Sequence, residues 1–254
     1  MINLKGKKGL ITGIANSDSI AYYVAKAAVE AGAEIAVTYQ NEKTKKFTEP
    51  LARELGASLY LPCDVTTEGS LEAVFDTMKE KWGGIDFALH SMAFATQGDL
   101  HGRVVDSSRD GLSMALDISC HSFIRMAKLS EPLMAKGGSL VTLSYLGADR
   151  VVLNYGVMGL VKAALESATR YMASELGEKG IRVNCVSPGP VSTRAASGIA
   201  HFDDLMAEAK SKSPMHALAS KEDIGDLTAL LFSDAGRSMT GSLIYVDAGY
   251  HIMA

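Results

Sequence analysis

Residues 9–21 read GLITGIANSDSIA. The run Leu10, Ile11, Thr12 is apolar and β-branched, as a buried strand requires, and Gly13 ends it. From Ser19 to Ala31 the pattern changes to a helical one, with Ile20, Val24, Ala27 and Ala28 on one side. A buried strand, a glycine turn and a helix in that order form the first βα unit of a dinucleotide-binding fold. The turn lets backbone approach a pyrophosphate, and the helix N-terminus favours its charge. The glycine pattern is incomplete, because Ser19, Ile20 and Ala21 stand near where the second and third glycines are usual. An ordinary strand-to-helix turn explains this stretch equally well, so the decision rests on the remainder of the chain.

The alternation repeats along the chain. Strands are expected at 34–39, 58–65, 85–90, 139–145, 181–187 and 242–249, after the first at 9–13. Helices are expected near 43–55, at 71–82, over 109–135, at 156–177, and from a Ser220/Asp223 capping box to about 232. Apolar strands alternating with helices give an α/β, doubly wound Rossmann fold. It comprises one domain over 1–254, with a seven-stranded parallel sheet and helices on both faces. The stretch 188–219 is long for a connection in a compact domain and is read as a substrate-binding lid. Phe202, Leu205, Met206 and Ala209 give it one amphipathic helix.

Composition removes several function classes. The chain has 254 residues, 47% hydrophobic and 21% charged, enough to build a full core. A net charge of −4 provides no basic field for nucleic acid. No apolar run reaches membrane-spanning length and no signal-peptide pattern opens the chain, so no membrane partner and a cytoplasmic location are expected. Cys63, Cys120 and Cys185 are too dispersed for a disulfide framework. The histidines are scattered and no metal-ligand spacing occurs, so no metal site is expected.

Ligands of such sheets lie beyond the carboxyl ends of the strands. Asp64 follows the third strand, where its carboxylate can accept from an adenine amino group. HSMAFA (90–95) places small residues after the fourth strand. SPGPVST (187–193) forms a fixed loop after the sixth, offering the Val191 backbone and the Thr193 hydroxyl. Tyr155 and Lys162 stand seven apart in NYGVMGLVKAALE, which on a helix places them about two turns apart on one face. There the lysine can hold ribose hydroxyls and lower the phenol's pKa, and the tyrosine can bond an oxygen on which charge develops.

These stretches, with TYQNEK, LSYLGADR and GPVSTRAASGI, make the chain resemble the short-chain dehydrogenase/reductase superfamily, and within it the NADH-dependent enoyl-[acyl-carrier-protein] reductases. The likeness spans essentially the whole chain. Tyr-x6-Lys, in place of the common Tyr-x3-Lys, is typical of that branch. The resemblance implies hydride transfer from NADH to the β-carbon of a trans-2-enoyl thioester in fatty acid elongation. In it Tyr155 stabilises the enolate, Lys162 orients the nicotinamide ribose, and Tyr145 supplies a second phenol.

It also implies cofactor positions at Gly13, Ser19, Ile20, Gln40, Asp64, Val65, Ser91, Met92, Lys162, Val191, Ser192, Thr193, Arg194 and Ala195. Substrate positions are Ala95, Tyr145 and Tyr155; the partner is acyl carrier protein, and the assembly is a homotetramer packed through two long helices. Two features depart from the pattern: Ala93 stands where some members have Gly, and the lid helix opens with Asp203 and Asp204. Tyr39, Gln40, Asn41 and Glu42 end the second strand without a cation, so a preference for NADH over NADPH is expected. A carbonyl reductase would use the same Tyr and Lys, and a non-catalytic dinucleotide sensor would share the fold.

Overall fold

Seven strands form one wholly parallel sheet in a computed structural model that describes residues 2–194, 196–198 and 201–253. In chain order the elements begin with β1 (Lys8–Ile11), α1 (Ile20–Glu30), β2 (Glu34–Tyr39), α2 (Glu42–Glu54), β3 (Leu59–Pro62), α3 (Ser70–Trp82) and β4 (Phe87–His90). A short α4 (Gln97–His101) comes next, then α5 (Arg109–Leu116), α6 (Ser122–Ser130), β5 (Gly138–Leu143) and α7 (Val157–Leu176). β6 (Ile181–Pro188), α8 (Phe202–Lys212), α9 (Lys221–Phe232) and β7 (Leu243–Val246) complete the order.

The strands lie in the order β3-β2-β1-β4-β5-β6-β7. Leu10 pairs with Ala36 on one side and Ala88 on the other, so β1 sits inside the sheet. Alternate residues of each strand feed opposite faces, as the pleat requires. Leu10, Ala36, Ala88, Leu140 and Val183 pack with Phe75, Phe123 and Leu165 on one face. Ile11, Ile35, Val37, Phe87, Leu89 and Val141 pack with Val24, Ile224 and Phe232 on the other. The runs are apolar throughout because both faces are covered.

The Ser220/Asp223 capping box forms: the Asp223 N–H donates to Ser220 Oγ at 3.0 Å, and the Ser220 N–H to Asp223 Oδ2 at 2.8 Å. The expected helix over 109–135 is interrupted. A π turn, Asp117–His121, separates α5 from α6, with the Ser122 N–H reaching the Asp117 carbonyl. A 3₁₀ turn, Glu131–Leu133, then ends the run at Pro132, which has no N–H to continue the i→i−4 ladder. α4 escapes sequence reading because only one turn is capped, by Thr96. The region 188–219 contains α8, with Phe202, Leu205 and Met206 half-buried and Ala209 buried.

Candidate active site

The chain builds the sheet outward from β1 to β3, then crosses to β4 on the other side of β1. The connections therefore diverge above β1 and β4, leaving a crevice at the carboxyl ends of the strands. A cleft of about 840 Å³ occupies it. Gly13, Ser19, Ile20, Gln40, Asp64, Val65, Ser91, Met92, Ala95, Tyr145, Tyr155, Lys162, Val191, Thr193 and Arg194 all line it. Ser192 is exposed and not part of that lining, and Ala195 lies outside the described residues.

Gly13 has φ +90°, and a Cβ there would lie 1.9 Å from the Ser91 carbonyl oxygen, so only glycine lets β1 turn against the β4 loop. Ser19 occupies the N-cap position of α1, but its hydroxyl makes no cap bond to the helix. Instead Ser19 Oγ accepts from the Ala15 and Asn16 N–H groups at 3.0 and 3.1 Å and donates to Asn16 Oδ1 at 3.2 Å. Its part in this structure is to brace the glycine turn, because the intervening loop folds back over it.

Gln40 and Asp64 meet across the tops of β2 and β3, Nε2 donating to Oδ2 at 3.3 Å. The other oxygen of Asp64 accepts from the Thr66 N–H at 3.0 Å and the Thr66 hydroxyl at 2.7 Å. Partial burial works to raise this carboxyl's pKa, but the Thr66 and Gln40 hydrogen bonds outweigh it and hold the group below its ordinary range. Thr193 Oγ1 accepts from the Ala196 N–H at 3.1 Å, which rigidifies the loop beyond β6.

Tyr155 and Lys162 line the same cleft, though not as neighbours on one helical face. Gly156 is the N-cap of α7 at φ +46°, ψ −126°, so Tyr155 sits in the turn before the helix. Asn154 at φ +63° sharpens that turn, and the Tyr155 N–H donates to the Val152 carbonyl at 3.2 Å. Lys162 is buried in α7, and its Nζ donates to the Leu143 carbonyl at 2.7 Å. Burial depresses its pKa, while the fields of Cys185, Cys120 and Glu166 oppose that.

The Tyr155 pKa is raised, first by burial and then by the Tyr145 phenol and Glu166. Desolvation of the buried phenol dominates, and the Lys162 ammonium is turned to the Leu143 carbonyl. Tyr145 is raised too, by burial, then by Tyr250 and Glu208. Both phenols are therefore neutral donors, with ring centroids 4.8 Å apart. The Tyr145 hydroxyl is buried without a hydrogen-bond partner among the described residues.

Sequence reading missed several wall residues. Phe94, Leu100, Met114, Ile118 and Met158, with Phe202 of the lid helix, give the cleft an apolar side next to the two phenols. Ala95, Leu100, Leu112, Tyr145 and Val152 pack around a small cluster built on Tyr155, Val157, Met158 and Val161. Leu100 and Met114 come from α4 and α5, whose positions over the sheet no periodicity reveals.

The enoyl-(acyl carrier protein) reductase family profile matches residues 13–251. The NADH enoyl-[acyl-carrier-protein] reductase of Rickettsia felis is 46% identical over 250 residues, covering 98% of this chain and 96% of that one. Its counterpart from Nostoc sp. is 43% identical over 256 residues, covering 100% and 99%. Among solved structures, the Anaplasma phagocytophilum enoyl-(acyl-carrier-protein) reductase in complex with NAD superposes with a TM-score of 0.95 at 45% identity, covering 98% of this chain and 95% of that one. The Bacillus cereus enoyl-acyl carrier protein reductase with NADP+ and indole naphthyridinone gives 0.97 at 42% identity, with full coverage of both chains, 100% and 100%.

Proposed function

The chain belongs to the enoyl-(acyl carrier protein) reductase family, an NADH-dependent branch of the short-chain dehydrogenases/reductases, and on that premise we propose how its residues divide the reaction. The substrate is a trans-2-enoyl thioester of fatty acid synthesis. NADH, when bound, supplies the hydride that reduces the β-carbon. The residues present fit that cofactor. Gly13 permits close backbone approach at the start of the cleft, and Gln40 and Asp64 offer polar groups at the adenosine side. Ser91 and Met92 line the middle, with Lys162, Val191, Thr193 and Arg194 at the nicotinamide side.

Tyr155 donates its hydrogen bond to the thioester oxygen as the enolate forms, and a proton delivered to the α-carbon then completes the saturated thioester. Tyr145 adds a second neutral donor beside it. Lys162 holds the ribose hydroxyls and provides positive charge near the developing anion. The observation that carries this reading is the buried, unpartnered Tyr145 hydroxyl, with its ring centroid 4.8 Å from that of Tyr155 at the apolar end of the cleft. A buried donor of that kind carries a desolvation cost, which a substrate oxygen relieves. Phe94, Leu100, Met158 and Phe202 favour an aliphatic chain there.

The 188–219 segment is read as the lid of one domain over 1–254, because Phe202 of α8 reaches the cleft lining. Slower hydrogen exchange over 201–212 on adding NAD plus an acyl-site inhibitor is expected, and unchanged exchange would reject the lid. Acyl carrier protein presents the thioester. Assembly is a homotetramer through α5–α6 and α7, supported by exposed Ile124, Leu160 and Tyr171 on those helices. Light scattering that gives a monomer would reject it. A cytoplasmic location is supported by three free, buried thiols. The deciding experiment for the reaction is NADH oxidation with crotonyl and longer enoyl thioesters, set against a ketone. Turnover of the enoyl substrate alone is the expected result, and turnover of the ketone alone would overturn the reading.

A further inference from the structure

The loop after β4 contributes Ser91, Met92, Ala93, Phe94 and Ala95 to the cleft wall. Phe94 is 46% exposed, so its side chain has little packing to hold it. Its backbone is held instead. The Phe94 N–H donates to Ser119 Oγ at 2.9 Å, and the Ser119 hydroxyl lies 3.3 Å from the Phe94 carbonyl, to which it donates. Ser119 is fully buried, in the middle of the π turn.

The other end of the loop is held from Ser122, which follows the π turn and opens α6. His90 Nε2 lies 2.7 Å from Ser122 Oγ, and Nδ1 lies 3.0 Å from Thr142 Oγ1. Ser122 Oγ donates its single proton to the Ile118 carbonyl at 2.6 Å. The Nε2 nitrogen therefore carries the hydrogen and donates to Ser122, while the Thr142 hydroxyl lies 3.0 Å from Nδ1 and 3.2 Å from the His90 carbonyl. Burial, followed by the nearby Lys162 charge, depresses the His90 pKa to about 3, so the ring stays neutral and this pattern persists.

We propose that the π turn is a staple: Ser122 holds the His90 end and Ser119 the Phe94 end of the β4 loop, which makes Ser119 a positioning residue for the enoyl thioester. The proposal rests on the reductase reading. A hydroxyl that satisfies both backbone groups of one residue on a distant segment fixes that residue's peptide planes. Fixing them sets where Phe94 and Ala95 stand against the acyl chain. The π turn places Ser119 and Ser122 so that both reach β4 and its loop, and π turns often mark such sites.

The first readout needs no turnover and no variant. In wild type the Phe94 amide should be protected from hydrogen exchange although its side chain is open to solvent, and an unprotected Phe94 amide overturns the proposal. Ser119→Ala should then speed exchange at that amide by about tenfold or more, the scale of one lost hydrogen bond. It should raise KM for crotonyl thioester about tenfold and leave NADH affinity within about twofold. Unchanged exchange at Phe94, or KM values for both substrates rising together, would assign Ser119 to the fold alone. Wild-type turnover of the thioester tests the reductase reading separately, so failure of one is distinguishable from failure of the other.

Discussion

Replacing Tyr145 with Phe should stabilise the protein while damaging its activity. The Tyr145 hydroxyl is buried without a partner among the described residues. Leaving such a group unsatisfied costs about 1–3 kcal/mol, and the lower end applies here because the residue borders an open cleft. Phe keeps the ring, and with it the contact to Tyr155 at 4.8 Å, so packing changes little. The expected gain is about 1 kcal/mol, which raises Tm by about 2–4 °C for a chain of this size. Activity should move the other way. A hydrogen bond to a group that becomes charged is worth about 1.5–3 kcal/mol, or about 10- to 100-fold in kcat/KM. Differential scanning calorimetry of the ligand-free protein and loss of NADH absorbance with crotonyl thioester measure the two effects. A fall in Tm would show that the hydroxyl has a partner in solution. An unchanged kcat/KM would show that Tyr155 carries the enolate alone. Either result refutes the reasoning.

Lys162→Ala should weaken NADH binding by about tenfold or more and lower kcat with it, because one ammonium serves both ribose and charge stabilisation; titration of cofactor fluorescence with wild-type affinity would remove Lys162 from the site. Gln40→Arg should move specificity toward NADPH by about 10-fold or more in kcat/KM ratio, since it supplies the missing cation at the end of β2. Asn41 is left alone in that test because it caps α2, accepting from Lys43 and Thr44 at 3.1 and 3.0 Å; a wild-type enzyme that already prefers NADPH contradicts the argument. His90 gives a pH dependence with a definite sign. Its folded pKa of about 3 lies below the unfolded value of about 6.5. The unfolded chain therefore binds the extra proton, and stability present above about pH 6.5 is lost as pH falls toward 3. Urea midpoints between pH 7 and 4.5 should fall in wild type and fall less in His90→Gln; parallel curves would show that the folded imidazole titrates as the unfolded one does and is not depressed.

Much of this fold is local and therefore legible. Leu10 to Thr12 and Glu34 to Tyr39 read as strands because a sheet covered on both faces needs continuous apolar runs. The Ser220 cap was readable because its partner lies three residues away. Gly13 marked the first turn because only glycine survives beside the Ser91 carbonyl, although the clash itself is a tertiary fact.

The rest depended on groups far apart in the chain. Spacing placed Tyr155 and Lys162 on one helix, but Gly156, at positive φ, caps an α7 that begins two residues after the tyrosine. They meet in the cleft because of the turn before the helix. The phenol's pKa runs opposite to the expected direction for a related reason: sequence supplied a nearby cation, while the fold supplied burial and a Leu143 carbonyl that accepts from that cation. Ser19 stands among the expected cofactor positions and lines the cleft, but only the fold shows that its hydroxyl accepts from Ala15 and Asn16 in the loop above it. The π turn and its serines left no periodic signal, since a single inserted residue within a helical run changes no composition. Hydrophobic pattern and capping act over a few residues and can be read in order along the chain. Desolvation, hydrogen-bond partnership and the meeting of Ser119 with Phe94 arise only when distant segments exclude water together.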